Sequence, residues 1–261
     1  LERSRNLTSF ENRPQDIAFN SDGTVIFVVG TQGDGIDSWA LSTAYDINSM
    51  DTDDDHIAFT SVGGDPRDLE FNSDGTKMFI LNGKTQVKEY ALSTAYDPAT
   101  LTLTNTLSIS LGDGFGQGMG FSEDGKKMFL VASTTNEIHL YNLTSGFDIS
   151  TASFIDKYSV STSSSMNISG LTFNSDGTKM FHADFNEDEI QEYSLPCSYG
   201  VVATCPKDDK DDVASVEAQS EITKKFLQST AIPVLNRMEW LRRNKNNPNL
   251  TNQNIKFQFS N

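Results

Sequence analysis

Cysteine, histidine and positive charge are what this chain has least of. Two cysteines in 261 residues are too few for a metal site built on thiolates. The three histidines, His56, His139 and His182, fall in unrelated registers, so no Ser-His-Asp or Cys-His arrangement follows from them. Lys and Arg number 20 against 36 Asp and Glu, a net charge of -16 that repels phosphates and argues against nucleic acid as a partner. No apolar run approaches the roughly 18–20 residues of a spanning helix. The start, Leu1-Glu2-Arg3-Ser4-Arg5, is neither an initiator Met nor a signal peptide, and the expectation is a piece of a longer protein. Aromatic residues reach 10%, which a disordered chain would not carry, so the bulk is expected to fold.

What the chain does have is an internal repeat. Phe19-Asn20-Ser21-Asp22-Gly23-Thr24 returns at Phe71, at Phe121 (as Phe-Ser-Glu-Asp-Gly-Lys) and at Phe173, at intervals of 52, 50 and 52 residues. An apolar pair follows each turn: Ile26-Phe27, Met78-Phe79, Met128-Phe129 and Met180-Phe181. Further on, an aromatic stands two places before a Leu, at Trp39, Tyr90, Tyr141 and Tyr193. Ala-Leu-Ser-Thr-Ala-Tyr-Asp then closes the first two units, at residues 40–46 and 91–97.

Each unit reads as four short strands. The first leads into the Phe, and an Asp-Gly turn reverses the chain. There Gly23, Gly75, Gly125 or Gly177 takes φ > 0 without steric cost. Strict alternation, as in Val87-Lys88-Glu89-Tyr90, marks a strand with two unlike faces. A single four-stranded sheet cannot bury both faces alone, so neighbouring units are expected to stack. About 50 residues per four-stranded unit is the period of a β-propeller blade, whereas solenoid coils are shorter and sandwiches longer. The expected fold is therefore all-β, a propeller with blades starting near residues 14, 66, 117 and 168. Phe19, Phe71, Phe121, Phe173, Phe27, Phe79, Phe129, Phe181, Trp39, Tyr90, Tyr141 and Tyr193 are expected between blades. Leu7-Thr8-Ser9-Phe10 reads as an outermost strand without a blade. It either closes a four-bladed ring or belongs to an upstream blade of a larger one.

The unit resembles bacterial and phage propeller repeats, in which Phe-Ser/Asn-Ser-Asp-Gly-Thr-Lys-Met-Phe precedes Glu-Tyr-x-Leu-Ser-Thr-Ala-Tyr/Trp-Asp. The likeness covers roughly residues 14–195 and is best from Leu69 to Pro98. Val213 to Ser220, Asn236 to Arg243 and Asn249 to Phe257 are similar to the junction before the barrel of autotransporter-like outer-membrane proteins of marine bacteria. The resemblance implies an exported passenger, displayed at the bacterial surface and anchored through a barrel in the outer membrane.

The C-terminal stretch is a different kind of sequence. Residues 1–206 hold the blades, and Lys207-Asp208-Asp209-Lys210-Asp211-Asp212 is an acidic linker by composition. Residues 213–261 carry net +4, against -20 before them. Residues 213–247 are expected to be helical and kinked at Pro233, and 248–261 form a tail in which Ile255, Phe257 and Phe259 alternate as a first barrel strand would. Packing of this basic helix on its own domain and placement near a membrane both fit the pattern.

Cys197 and Cys205 lie close together at the end of the repeats and are expected to form a local disulfide. Asp51, Asp53 and Asp55 open like a calcium loop, but His56 and Val62 stand where that loop needs Gly and Glu. In the innermost strands Asp16 and Asp68 could face a central channel, but units three and four carry Gly118 and Gly170 there. The sequence expectation is therefore a non-catalytic, surface-displayed passenger that binds a surface protein or glycan, with no catalytic residue, metal or cofactor. A propeller hydrolase with a metal in its channel is the alternative, and a phage or secreted structural protein a further one.

Overall fold

The computed structural model describes residues 4, 6, 7, 11 and 13–201, apart from 32–34, 52–54, 59–64, 84, 113–114 and 161–165. The chain divides into two units, Leu1–Cys205 and Pro206–Asn261. Cys205, the linker at 207–212, the helical segment at 213–247 and the tail at 248–261 lie outside the described residues, as do Thr8, Ser9, Phe10 and Asp53.

The first unit is all-β and propeller-like. β1 (Pro14–Phe19), β2 (Val25–Gly30), β3 (Gly35–Ala40) and β4 (Asp55–Ala58) form one antiparallel sheet in sequence order. β5 (Pro66–Phe71), β6 (Lys77–Asn82), β7 (Gln86–Leu92) and β8 (Leu101–Ser108) form the second. β9 (Gly116–Phe121), β10 (Lys127–Ala132), β11 (Glu137–Leu143) and β12 (Ala152–Ser159) form the third. β13 (Ile168–Phe173), β14 (Lys179–Asp184) and β15 (Glu189–Ser194) make a fourth sheet of three strands among the described residues. The first strands β1, β5, β9 and β13 lie side by side in that order. No closed ring forms among the described residues, so closure into a four-bladed ring, one of the two expectations, is not seen there.

The turns explain why the repeat recurs. In the second unit Asn72 Oδ1 accepts from the Lys77 N–H at 2.8 Å, and Asp74 Oδ1 accepts from the Thr76 N–H at 3.0 Å. These bonds, the Thr76 hydroxyl's first among them, hold the Asp74 carboxyl below its ordinary range, and Asp22 and Asp176 are held the same way. The recurrent aspartates thus serve the turn. Each turn glycine has φ near +70°, and an aromatic ring from the end of the unit lies over it: Tyr45, Tyr96, Phe147 or Tyr199.

The sheets bury one another's faces. Phe27, Val29 and Ile36 of the first sheet meet Met78, Ile80 and Tyr90 of the second. Phe79, Leu81 and Val87 meet Met128, Leu130 and Tyr141 of the third, and Phe129, Val131 and Ile138 meet Met180 and Tyr193 of the fourth. Ring pairs mark each joint: Phe27–Phe71, Phe79–Phe121 and Phe129–Phe173, with centroids 4.9, 4.6 and 4.7 Å apart. Phe19 and Trp39 pack on the other face of the first sheet. Phe181 departs from its expected place between blades, because no described sheet covers that face; it is half-buried and lines a cavity.

Polar latches back these joints. Lys77 Nζ donates to the Phe147 carbonyl of the next unit at 2.6 Å, and Lys127 Nζ to that of Tyr199 at 3.0 Å. Buried Glu89 accepts from Lys77 at 2.9 Å and from the Ile149 N–H of the next unit at 2.9 Å.

Candidate functional site

The first strands carry the site because each one breaks register, three of them at the same place and β13 slightly further on. β1 shifts between Pro14 and Asp16, and β5 between Pro66 and Asp68. β9 shifts between Gly116 and Gly118, and β13 between Ser169 and Thr172. Such bulges re-aim side chains. Asp16 and Asp68 each use one oxygen to join neighbouring strands: Asp16 Oδ2 accepts from the Leu69 N–H at 2.9 Å, and Asp68 Oδ2 from the Met119 N–H at 3.1 Å. The other oxygen of Asp68 is buried without a hydrogen-bond partner. Between the third and fourth sheets a side chain has no room, since a Cβ on Gly118 would lie 3.0 Å from the Gly170 backbone. Gly118 thus reflects backbone approach, whereas Gly170 has nothing within 4 Å of its Cβ position and is favoured by its φ of +62°.

A cavity of about 680 Å³ opens beside these strands, lined by Asp16, Asp68, Glu70, Thr172, Phe181 and His182 among others. A second, of about 490 Å³, is lined by Asp16, Asp68, Gln117, Asn167 and Gly170. Asp16, Asp68 and Glu70 belong to both or either of these, so an acidic wall faces the space between the sheets.

Burial and mutual repulsion set the protonation of that wall. Glu70 is pushed up to about 8, first by burial and then by the negative charge of Asp16. Asp68 is pushed well above the carboxylate range by burial, then by Asp16 and Glu70. Asp16 is raised by burial, which its bonds from the Leu69 and Ile17 amides oppose. Near neutral pH Glu70 therefore holds a proton that an exposed glutamate would have lost. Two titrating groups set apart by their surroundings are the means of acid–base chemistry.

His182 completes the lining. It is 2% exposed, its ring stacks on Tyr193 at 5.5 Å between centroids, and its Nε2 has no hydrogen-bond partner. Burial lowers its pKa, so it is neutral at neutral pH. The corresponding positions of the other sheets are Val28, Ile80 and Leu130. The expectation of an ordinary strand residue passes over this substitution, and Glu70 escapes an argument confined to the Asp16 position. The signal for both was present: each breaks a pattern that its three counterparts obey or leave small.

Among the described residues no group of three or more His, Cys, Asp and Glu side chains converges closely enough to hold a metal ion. The cavity-lining residues thus do not fit the metal of the alternative reading. Of the remaining sequence candidates, His139 is buried in β11 with Nε2 3.3 Å from Glu137 Oε2, away from this lining. Cys197 lies in the turn after β15, and its expected partner Cys205 is outside the described residues.

No protein-family model matches the chain, and no curated protein matches it. Solved structures do. A Bacteroides uniformis protein provisionally named a 6-phosphogluconolactonase superposes with a TM-score of 0.52 at 14% identity, covering 74% of this chain and 56% of that one. A Lactobacillus plantarum protein gives 0.51 at 12% identity, over 70% and 53%. The periplasmic gluconolactonase of Pseudomonas aeruginosa gives 0.49 at 16%, over 72% and 51%. The chain spans little more than half the length of these structures, and the likeness is one of fold.

These findings correct the expectation of a non-catalytic adhesion passenger. The fold is shared with a protein provisionally named a 6-phosphogluconolactonase, and one cavity is lined by three carboxyls where the sequence reading counted too few.

Proposed function

We propose that this protein is a propeller hydrolase whose four sheets are blades around the acidic channel, and that it opens an uncharged sugar lactone. The observation that carries this reading is the protonated Glu70 beside Asp16 on one cavity wall. In the proposed reaction Asp16, as carboxylate, takes a proton from water while the water oxygen bonds to the lactone carbonyl carbon. Glu70, as acid, donates a hydrogen bond to the developing oxyanion. Collapse re-forms the carbonyl and breaks the ring C–O bond. The ring oxygen takes the proton that water supplied, leaving a hydroxy acid. Asp68 holds β9 in place through the Met119 amide. The acidity of the wall favours a neutral lactone over a phosphorylated one, whose charge it would repel.

The test is hydrolysis of glucono-1,5-lactone, followed as acid release above the buffer rate. Saturable hydrolysis is expected, abolished in Asp16→Asn, strongly reduced in Glu70→Leu, which removes the donor, and weaker with a 6-phosphorylated lactone. A rate equal to buffer, or one that both substitutions leave intact, overturns the proposal. Export and outer-membrane anchoring are a separate proposal, supported by the junction-like residues 213–257; cell fractionation of the expressed protein tests it.

A further inference from the structure

We infer that the open face of the fourth sheet is the seat for a further unit of the same repeat, in tandem as at the three joints already made. The equivalent faces of the first three sheets are fully covered: Ile36, Val87 and Ile138 are each 0% exposed. Ile190, the counterpart of those three in β15, is 79% exposed. An apolar residue held at that register in every unit, and bare in one, marks a joint with one half present.

A polar group repeats the message. Lys77 and Lys127 each reach the carbonyl of the following unit's aromatic corner. Lys179 stands at the same place in β14 and reaches no such carbonyl among the described residues; it pairs with Glu192 at 2.8 Å, both side chains about half exposed. That pair is the counterpart of Lys77 with Glu89, where Glu89 also receives an amide of the next unit. The fourth sheet thus presents both halves of the existing joint, the apolar seat and the latch. The occupant these features fit has a Met-x-aliphatic strand and a Gly-backed aromatic corner. The chain's own first sheet does not offer it, since Ile26 and Val28 are already buried against Leu7 and Ile47. The same holds for the first sheet of a second copy. The inference stands independently of the hydrolase reading.

The experiment compares the 261-residue chain with one in which residues 150–201 are duplicated directly after Val201. In the parent, Ile190→Asp is expected to leave the thermal midpoint unchanged within about 2 °C, while Ile138→Asp lowers it by about 5 °C or more. In the extended chain Ile190→Asp is expected to become as costly as Ile138→Asp. Amine footprinting is expected to show Lys179 reactive in the parent and protected in the extended chain, as Lys77 is in both. Ile190→Asp silent in both chains overturns the inference. So does a costly Ile190→Asp in the parent, an extended chain less stable than the parent, or a Lys179 equally reactive in both.

Discussion

Replacing Glu70 by Gln separates the electrostatics of the acidic wall from its packing. The folded chain holds the Glu70 carboxyl at about 8, against an ordinary 4.5. Between those values the folded state keeps a proton that the unfolded state has released, so stability falls as pH rises from about 4.5 to about 8 and is level above. A displacement of that size corresponds to at most about 5 kcal/mol. Partial exposure of Glu70 to the cavity screens part of it, and about 2–3 kcal/mol is the expected effect. Gln keeps the shape without the charge. Urea denaturation at pH 4.5 and pH 8.5 is the assay. The variant is expected to match the parent at the lower pH and to exceed it by about 2–3 kcal/mol at the higher. Parallel stabilities at both values would refute the reasoning, since they would mean that Glu70 titrates as an exposed residue does. The same proton predicts that lactone hydrolysis declines as pH passes 8.

The fold makes further predictions. Gly125→Ala places a methyl 2.2 Å from the Phe147 ring at φ +67° and is expected to cost about 2–4 kcal/mol in denaturant titration, whereas Gly120→Ala, with its nearest neighbour at 3.6 Å, is expected to cost under about 1 kcal/mol. Glu89→Ala leaves the buried Ile149 amide without its acceptor and Lys77 with the Phe147 carbonyl alone, and is expected to cost about 1–3 kcal/mol; Glu89→Gln, which keeps an acceptor, is expected to cost less. A disulfide between Cys197 and Cys205, proposed from their spacing, predicts no titratable thiol in unfolded, unreduced protein, and one equivalent or more of free thiol there defeats it.

The strands and turns were legible in the sequence because their causes are local. Asp74, Gly75 and Thr76 make the turn from within it, so the motif locates the hairpin wherever it occurs. The packing of Phe27, Phe79 and Phe129 followed from a period of about 50 residues, which forces each unit to use its neighbour. The site was less legible because its causes lie between units. Nothing next to Glu70 in sequence says that burial and the Asp16 charge, 54 positions away, will hold its proton. Nor does the Gly118 neighbourhood announce the Gly170 backbone 3.0 Å from where its Cβ would be. Reading those glycines as missing ligands led to the passenger; at Gly118 the neighbouring strand crowds a side chain, and at Gly170 a φ of +62° favours glycine.

That contrast gives a rule for reading this chain. Positions that all four units share, the Asp-Gly turn and the Phe that follows the Met or Ile, answer to demands every sheet has in common, and so report on stability. A chemical site on a row of similar sheets has to arise where the units differ, since one reacting group has one acid and one base. Here the differences gather on a single surface: Asp, Asp, Gly, Gly at the bulge; Ala, Glu, Gly, Thr two residues later; and Val, Ile, Leu, His on the second strand. Asp16, Asp68, Glu70, Thr172 and His182 all line the same cavity. Shared positions carry the fold there, and unshared ones converge on the space it encloses. Function is therefore to be sought at Glu70 and His182 before any residue of the repeated motif.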